Sequence, residues 1–331
     1  MSKIVLMHEF GGPEVLKLEE LPTPEPAPGE VRLKVEAIGL NRAEVMYRSG
    51  NYPLEPRFPS KNGYEAAGVI DAIGSDVTGF AIGDRVASIP AMFQLNEYGV
   101  YGNTAIVPAR AVAHYPENLT PEEGASIWMQ YLTAYGALVQ NSRIGSKDVV
   151  LITAASSSVG LAAIQIAKAE GATTIAATRG RSKAQRIAET GAEHVIVSDE
   201  EDLAKRVMEI THGMGASVIF DPVAGPFVKT LADAAASHAV IYEYGALAGN
   251  EVSIPVLPAM FKALSVRGYT MYEVTTAPEN LERGIAYVRE KLASGAFRPI
   301  IDNRKFRLEE ISNAHAYMES NQQFGKIVVT V

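Results

Sequence analysis

The chain has 331 residues, enough for two domains of ordinary size, and its 47% hydrophobic and 21% charged residues match a soluble globular enzyme. A net charge of −8 argues against nucleic acid or an anionic membrane as a partner, because neither attracts an acidic surface. The complete lack of cysteine excludes disulfides, thiolate nucleophiles, iron–sulfur clusters and every cysteine-containing zinc site.

Met1, Ser2, Lys3, Ile4, Val5 and Leu6 lead straight into a strand pattern with no signal-peptide core. No stretch approaches the roughly 20 apolar residues that span a bilayer. The expected compartment is the cytoplasm. Up to residue 122 the chain reads as short strands between turns. Pro22, Pro24, Pro26, Pro28 and Gly29 form a stiff connector, after which residues 31–37 alternate apolar and polar as a half-buried strand does. Gly68, Gly74, Gly79 and Gly83 space out further strands.

Thr120, Pro121, Glu122 and Glu123 form a capped helix start with acids in its first turn. Apolar runs at 149–152, 174–177, 194–197, 217–220 and 239–242 then alternate with helical segments. That alternation predicts a parallel sheet covered on both faces. In the tail, an amphipathic helix runs through Ile285, Val288 and Leu292, and an apolar strand closes the chain at 326–331. Such a strand needs a sheet to join, and the β-rich first part is its natural host. The predicted fold is therefore α/β: a Rossmann-type doubly wound parallel sheet (123–272) inserted in a discontinuous β-rich domain (1–122 and 273–331).

The segment after the 149–152 strand is the most informative. Thr153, Ala154, Ala155, Ser156, Ser157, Ser158, Val159 and Gly160 make a tight turn of small residues that opens a helix. A dinucleotide fingerprint would place glycines at 155, 157 and 160, and here only Gly160 remains. Small side chains still admit a close backbone approach, serine hydroxyls donate to phosphate oxygens, and the helix start offers amides and a positive dipole end. Ser156, Ser157, Ser158, Val159 and Gly160 are therefore candidate pyrophosphate ligands. At the end of the next strand, where NAD-binding domains carry an acid, stand Thr178, Arg179, Gly180, Arg181, Ser182 and Lys183. Cations in that place favour a 2′-phosphate and hence NADPH, with Thr178, Arg179 and Lys183 as its ligands and Arg181 turned to solvent.

These residues, taken with Glu9, Phe10, Gly11, Gly12 and Pro13, with Gly39, Leu40 and Asn41, and with Gly50, Asn51, Tyr52 and Pro53, resemble the medium-chain dehydrogenase/reductase superfamily. Glu65, Ala66, Ala67 and Gly68, the Gln130–Thr133 stretch (Gln130, Tyr131, Leu132, Thr133) and Gly325, Lys326 and Ile327 extend the resemblance over essentially the whole chain. The branch resembled is the zinc-free quinone oxidoreductase, or ζ-crystallin-like, one. The resemblance implies a GroES-like outer domain. Zinc-dependent relatives carry cysteine where Asn41 stands, histidine where Tyr64 precedes Glu65, and a second cysteine near Met129 and Gln130. With those ligands absent and the six histidines scattered, no metal is expected.

The resemblance also implies a hydride transfer from NADPH to a quinone or an α,β-unsaturated carbonyl compound. Such acceptors ask for less than alcohol oxidation, which normally relies on a Lewis acid. Asn41, Tyr52 and Tyr64 are the catalytic candidates it suggests: Tyr64 as a phenolic donor, Asn41 as an orienting group. An ordinary packed aromatic is the alternative for each tyrosine. Thr133, Ser198, Val223, Gly245, Ala246 and Leu247 are further cofactor candidates, with capping the alternative for Thr133 and a plain turn for Gly245. His315 is expected to be structural and Trp128 to be core. A homodimer is implied, joined through sheet edges near residues 259–266. Zinc-free alcohol–carbonyl chemistry and a nucleotide-binding protein without turnover are the competing readings.

Overall fold

A computed structural model describes residues 1–91 and 94–331. The chain divides into two compact units: Met1–Met129 with Thr275–Ala293 and Arg298–Val331, and Gln130–Val274 with Ser294–Phe297.

The first unit is built from β1 (Ser2–Leu6), β2 (Lys17–Leu21), β3 (Glu30–Gly39), β4 (Glu65–Ile73), β5 (Arg85–Ser88), β6 (Thr104–Pro108), β7 (Val112–His114), β14 (Phe306–Arg307) and β15 (Val328–Thr330). β3 is its axis. The alternation predicted for residues 31–37 buries Val31, Leu33, Val35 and Ala37, while the intervening side chains stay more exposed. β3 pairs antiparallel with β4, β6 and β15, so the closing strand joins this sheet as its apolar run required. The sheet order is β14-β15-β3-β4-β5-β7, with β6 also on β3, and β1 and β2 form a separate hairpin. Helix Ile311–Glu319 adds Ile311, Ala314 and Met318 to the core formed by Leu33, Ile38, Ile70 and Val329. The capping box at Thr120 forms as read, with Glu123 N–H on the threonine hydroxyl at 3.2 Å.

The second unit is a six-stranded parallel sheet, in the order β10-β9-β8-β11-β12-β13. Its strands are β8 (Val149–Ile152), β9 (Thr173–Thr178), β10 (His194–Val197), β11 (Ala216–Asp221), β12 (Ala235–Glu243) and β13 (Ser265–Gly268). The order runs outward in both directions from β8, so the winding reverses between β8 and β11. In open parallel sheets, ligands bind outside the carboxyl ends of the strands at such a reversal. Leu151, Ile175, Ile196, Ile219 and Ile241 are fully buried, which is why these strands read as apolar runs rather than alternations.

Candidate functional site

In the nucleotide unit the site begins where β8 ends. Ala154 takes a left-handed backbone with φ 44°, and Ser157 caps helix Ser158–Ala169 by accepting the Gly160 N–H at 3.0 Å. That cap contributes about 1 kcal/mol. The amides of Ser158 and Val159, the first two of the helix, have no intrahelical partner. A Cβ on Gly160 would stand 2.8 Å from both the Ala154 carbonyl oxygen and the Ala155 Cα, so glycine is what allows the helix to start this close to the turn. Ser156, Ser157, Ser158 and Val159 are partly exposed along it. Amides, hydroxyls and the helix dipole together form a cradle that suits a diphosphate.

β9 ends at the buried Thr178, whose carbonyl accepts the Ser198 N–H at 2.9 Å and its hydroxyl at 3.4 Å. The two adjacent arginines differ. Arg181 spends its guanidinium on Glu200, and their hydrogen bond holds the arginine above and the carboxyl below their ordinary ranges. Arg179 is exposed and has no acidic partner among the described residues. Lys183 is half-buried at the end of the short 3-10 turn Arg181–Lys183.

The ends of β11 and β12 are joined by backbone hydrogen bonds: Tyr244 N–H to Asp221 O at 2.9 Å, Leu247 N–H to Pro222 O at 3.0 Å, and Ala248 N–H to Val223 O at 2.8 Å. A Cβ on Gly245 would stand 2.8 Å from the Pro222 carbonyl oxygen. Ala224, like Ala154, takes a left-handed φ, here 58°. Val223 and Ala246 are half-buried beside the exposed Gly245 and Leu247. Thr133 is buried in helix Trp128–Tyr135, whose Tyr131 stacks on Phe297 and donates to Gln165 at 3.2 Å.

The first unit contains a buried polar chain that sequence reading did not anticipate. Lys326 donates to Glu65 Oε2 at 2.5 Å and to Asn41 Oδ1 at 2.6 Å, and both side chains of the ion pair are fully buried. Glu65 Oε1 accepts the Met129 N–H at 3.1 Å. The Asn41 amide group donates to Glu44 Oε1 at 3.0 Å and to the Gly39 carbonyl at 3.2 Å. Glu44 also takes the N–H groups of Asn41 and Tyr64 and, at 2.6 Å, the Tyr101 hydroxyl. Burial pushes the Glu44 carboxyl up, and the donors of Tyr101, Asn41 and Tyr64 and the charge of Lys326 oppose that push.

Because Tyr101 gives its one hydroxyl proton to Glu44, it accepts from His315 Nε2 at 2.9 Å. His315 is then the Nε2–H tautomer, and its buried Nδ1 has no hydrogen-bond partner. Burial, aided by Arg48 and Arg42, depresses its pKa to about 3.

Asn41 thus sits at the centre of this chain, its amide N–H groups and its carbonyl oxygen engaged by protein. Tyr64 is fully buried with Met7, Tyr47 and Leu95, and half-buried Tyr52 meets its ring edge-on at 6.4 Å between centroids. Trp128 is fully buried. Among the described residues no three His, Cys, Asp or Glu side chains gather as a metal-binding group. No helix among them is long and apolar enough to cross a membrane. The residues that sequence reading passed over are Lys326, Glu44 and Tyr101. A lysine within an otherwise apolar closing strand, and a glutamate three residues after an N-cap asparagine, were the available signals.

Residues 27–117 match the family described as alcohol dehydrogenase GroES-like domain, and residues 158–286 match that described as zinc-binding dehydrogenase. A quinone oxidoreductase of Pseudomonas aeruginosa is 32% identical over 331 residues, covering 99% of each chain. The structure of Escherichia coli quinone oxidoreductase complexed with NADPH superposes with a TM-score of 0.91 at 30% identity, over 99% of this chain and 100% of that one. The structure of an NAD-dependent alcohol dehydrogenase gives the same TM-score at 31% identity, over 99% of each chain.

Proposed function

The chain belongs to the medium-chain dehydrogenase/reductase superfamily, in its quinone oxidoreductase (ζ-crystallin-like) branch, and from that premise we propose that it is an NADPH-dependent reductase of quinones or α,β-unsaturated carbonyl compounds. The observation that carries the cofactor reading is the pairing of the Ser157-capped helix start with Arg179, a cation without an acidic neighbour among the described residues. The helix start that Gly160 allows to sit close against the turn, with the free amides of Ser158 and Val159, fits a diphosphate, and Arg179 fits a 2′-phosphate, which a guanidinium binds through paired donors.

NADPH, when bound, supplies the hydride. The chain's residues bind and orient it: the amides of Ser158 and Val159 and the hydroxyls of Ser156, Ser157 and Ser158 hold the diphosphate. Thr178, Arg179, Lys183 and Ser198 hold the adenosine side, while Thr133, Val223, Gly245, Ala246 and Leu247 hold the nicotinamide side. Hydride addition to a quinone or enone leaves an oxyanion that needs hydrogen-bond donors and a proton. Tyr52, half-buried, is assigned as the hydroxyl donor. Tyr64, fully buried in the cluster of Met7, Tyr47 and Leu95, packs behind it and has no surface open to a substrate, contrary to the role the sequence suggested. Asn41, tied to Lys326 and Glu44, positions the turn before helix Arg42–Arg48. No metal takes part: the chain has no cysteine, and Asn41 and Tyr64 stand where zinc-dependent relatives place ligands.

The protein is proposed to be cytoplasmic and homodimeric. Edge strand β13 and the exposed Val256, Leu257, Met260 and Phe261 of helix Val256–Lys262 support the dimer, since unpaired edges and apolar patches of this kind are covered by association.

The test is oxidation of NADPH and of NADH by the metal-free protein with a simple quinone and a simple enone. Turnover preferring NADPH is expected, with Tyr52→Phe lowering kcat and leaving the NADPH Kd in place. Absence of turnover with both acceptors refutes the assignment. The likeness to an NAD-dependent alcohol dehydrogenase favours zinc-free alcohol–carbonyl exchange as a second reading, which turnover of simple alcohols with NADP+ or NAD+ would establish.

A further inference from the structure

Asp221 and Glu243 end neighbouring parallel strands and are partners in register, so their side chains leave the same face of the sheet at a strand spacing of about 4.8 Å. Their surroundings are opposite. Asp221 is fully buried and collects three donors: the Thr153 hydroxyl, the Val223 N–H at 3.0 Å and the Ala224 N–H at 2.6 Å. Glu243 has both carboxyl oxygens buried, and no N–H or hydroxyl group donates to either of them. An ionised carboxylate cannot give up its hydration for nothing, least of all beside a second negative charge. The arrangement fits one proton shared by two acids, held on Glu243 and facing Asp221.

The other charged and titratable groups around Glu243 do not change this. β13 lies on the far side of β12, with Gly268 opposite Glu243 and Arg267 opposite Tyr242. Arg267 is stacked over the Tyr242 ring and paired with Glu273 at 2.6 Å. Tyr269 gives its backbone N–H to the Glu243 carbonyl, and Tyr244 stacks on Phe220 at 4.0 Å. Burial, the Asp221 charge and the Asp221 hydrogen bond push Glu243 up to about 8. Burial also raises Asp221, against the pull of its donors.

The pair lies beneath the strand-end loops of the dinucleotide site. Thr153 is the last residue before the serine-rich turn, Val223 and Ala224 open the next loop, and Tyr244 and Gly245 the third. We propose that Asp221 and Glu243 form a proton-sharing carboxyl pair that belongs to this site and sets the alkaline limit of dinucleotide binding. The proposal rests on the cofactor reading above. With the proton in place the pair carries one negative charge; without it, two negative charges oppose an incoming polyanion. By linkage, each unit by which bound nucleotide raises that ionisation is a tenfold change in affinity.

The experiment measures NADPH Kd by fluorescence titration from pH 7.0 to 9.5 at constant ionic strength, on the full-length protein and on Glu243→Gln. Glu243→Met serves in its place should the glutamine variant not fold. The infrared difference spectrum between the two pH limits, recorded without nucleotide, follows the carbonyl stretch of a protonated carboxylic acid. For the unsubstituted protein the expected result is a Kd rising about tenfold above pH 7.5, as one unit of linked ionisation requires. The variant should rise less than twofold and lose the infrared band. A rise of equal size in both proteins, or a flat profile in the unsubstituted one, overturns the proposal. Failure of the unsubstituted protein to bind NADPH at pH 7.0 overturns the cofactor reading and, with it, the role of the pair in nucleotide binding. The infrared band, present in the protein and absent from the variant, would then show that the nucleotide assignment failed and not the carboxyl pair.

Discussion

Replacing Lys326 with methionine keeps the volume of the side chain and removes its charge. Lys326 and Glu65 have no solvent-exposed side-chain surface, and the ammonium donates to both Glu65 and Asn41. Without it, Glu65 keeps one backbone donor, the Met129 N–H, and an uncompensated charge in the interior. Losing one member of a buried ion pair typically costs about 3–5 kcal/mol, whereas exchanging both members for neutral groups is often close to neutral. Lys326→Met should therefore destabilise the first unit by about 3–5 kcal/mol, and adding Glu65→Gln should restore more than half of that loss. Two compact units make a single global unfolding transition an unsafe measure. Native-state hydrogen exchange of β4 and β15 amides reads the local stability directly. A double variant as unstable as the sum of the two single ones would refute the reasoning, because it would mean that the charges do not compensate each other.

Arg179→Ala should weaken NADPH binding about tenfold or more and leave NADH within about twofold, the scale of one charge-assisted hydrogen bond at an exposed site; equal losses would remove Arg179 from the phosphate site. Gly160→Ala places a methyl group 2.8 Å from the Ala154 carbonyl, so the turn must shift, and the NADPH Kd should rise at least about tenfold; isothermal calorimetry showing an unchanged Kd would refute a cradle at this turn. His315 is held neutral by burial, with its pKa near 3 in the folded state. The unfolded chain takes up a proton below about 6.5, so this contribution to stability is intact above that pH and is lost as pH falls from 6.5 towards 3. Between pH 6.5 and 5.5 it amounts to about 1 kcal/mol, and His315→Gln should remove that share of the acid sensitivity in urea unfolding; identical pH slopes in both proteins would rule it out.

The fold was legible because its cues are local. Apolar runs such as Val149, Val150, Leu151 and Ile152 are read within a few residues, and the closing strand announced its need for a sheet by composition alone. The serine-rich turn was legible for the same reason: its cap residue, its helix and Gly160 are contiguous. The boundaries of β12 were less so. Its exposed residues Ser237 and His238 interrupt the apolar pattern, and the strand extends on either side of the run at 239–242.

The buried polar chain of the first unit has no such locality. Asn41 and Glu44 form a local capping box three residues apart, but Glu65, Tyr101, His315 and Lys326 join them only through the pairing of β3 with β4 and β15 and through helix Ile311–Glu319, so no spacing in the sequence announces the chain as a whole. The same holds for Asp221 and Glu243, 22 positions apart and neighbours only because β11 and β12 pair in parallel register. Their chemistry depends on what the register supplies to each. Asp221 receives two backbone N–H groups and a hydroxyl, and Glu243 receives none, so two acids at adjacent strand ends acquire different protonation behaviour from one difference in donors. A sequence names the acids; the donors that divide a proton between them are backbone groups, and backbone groups acquire direction only when the sheet is built.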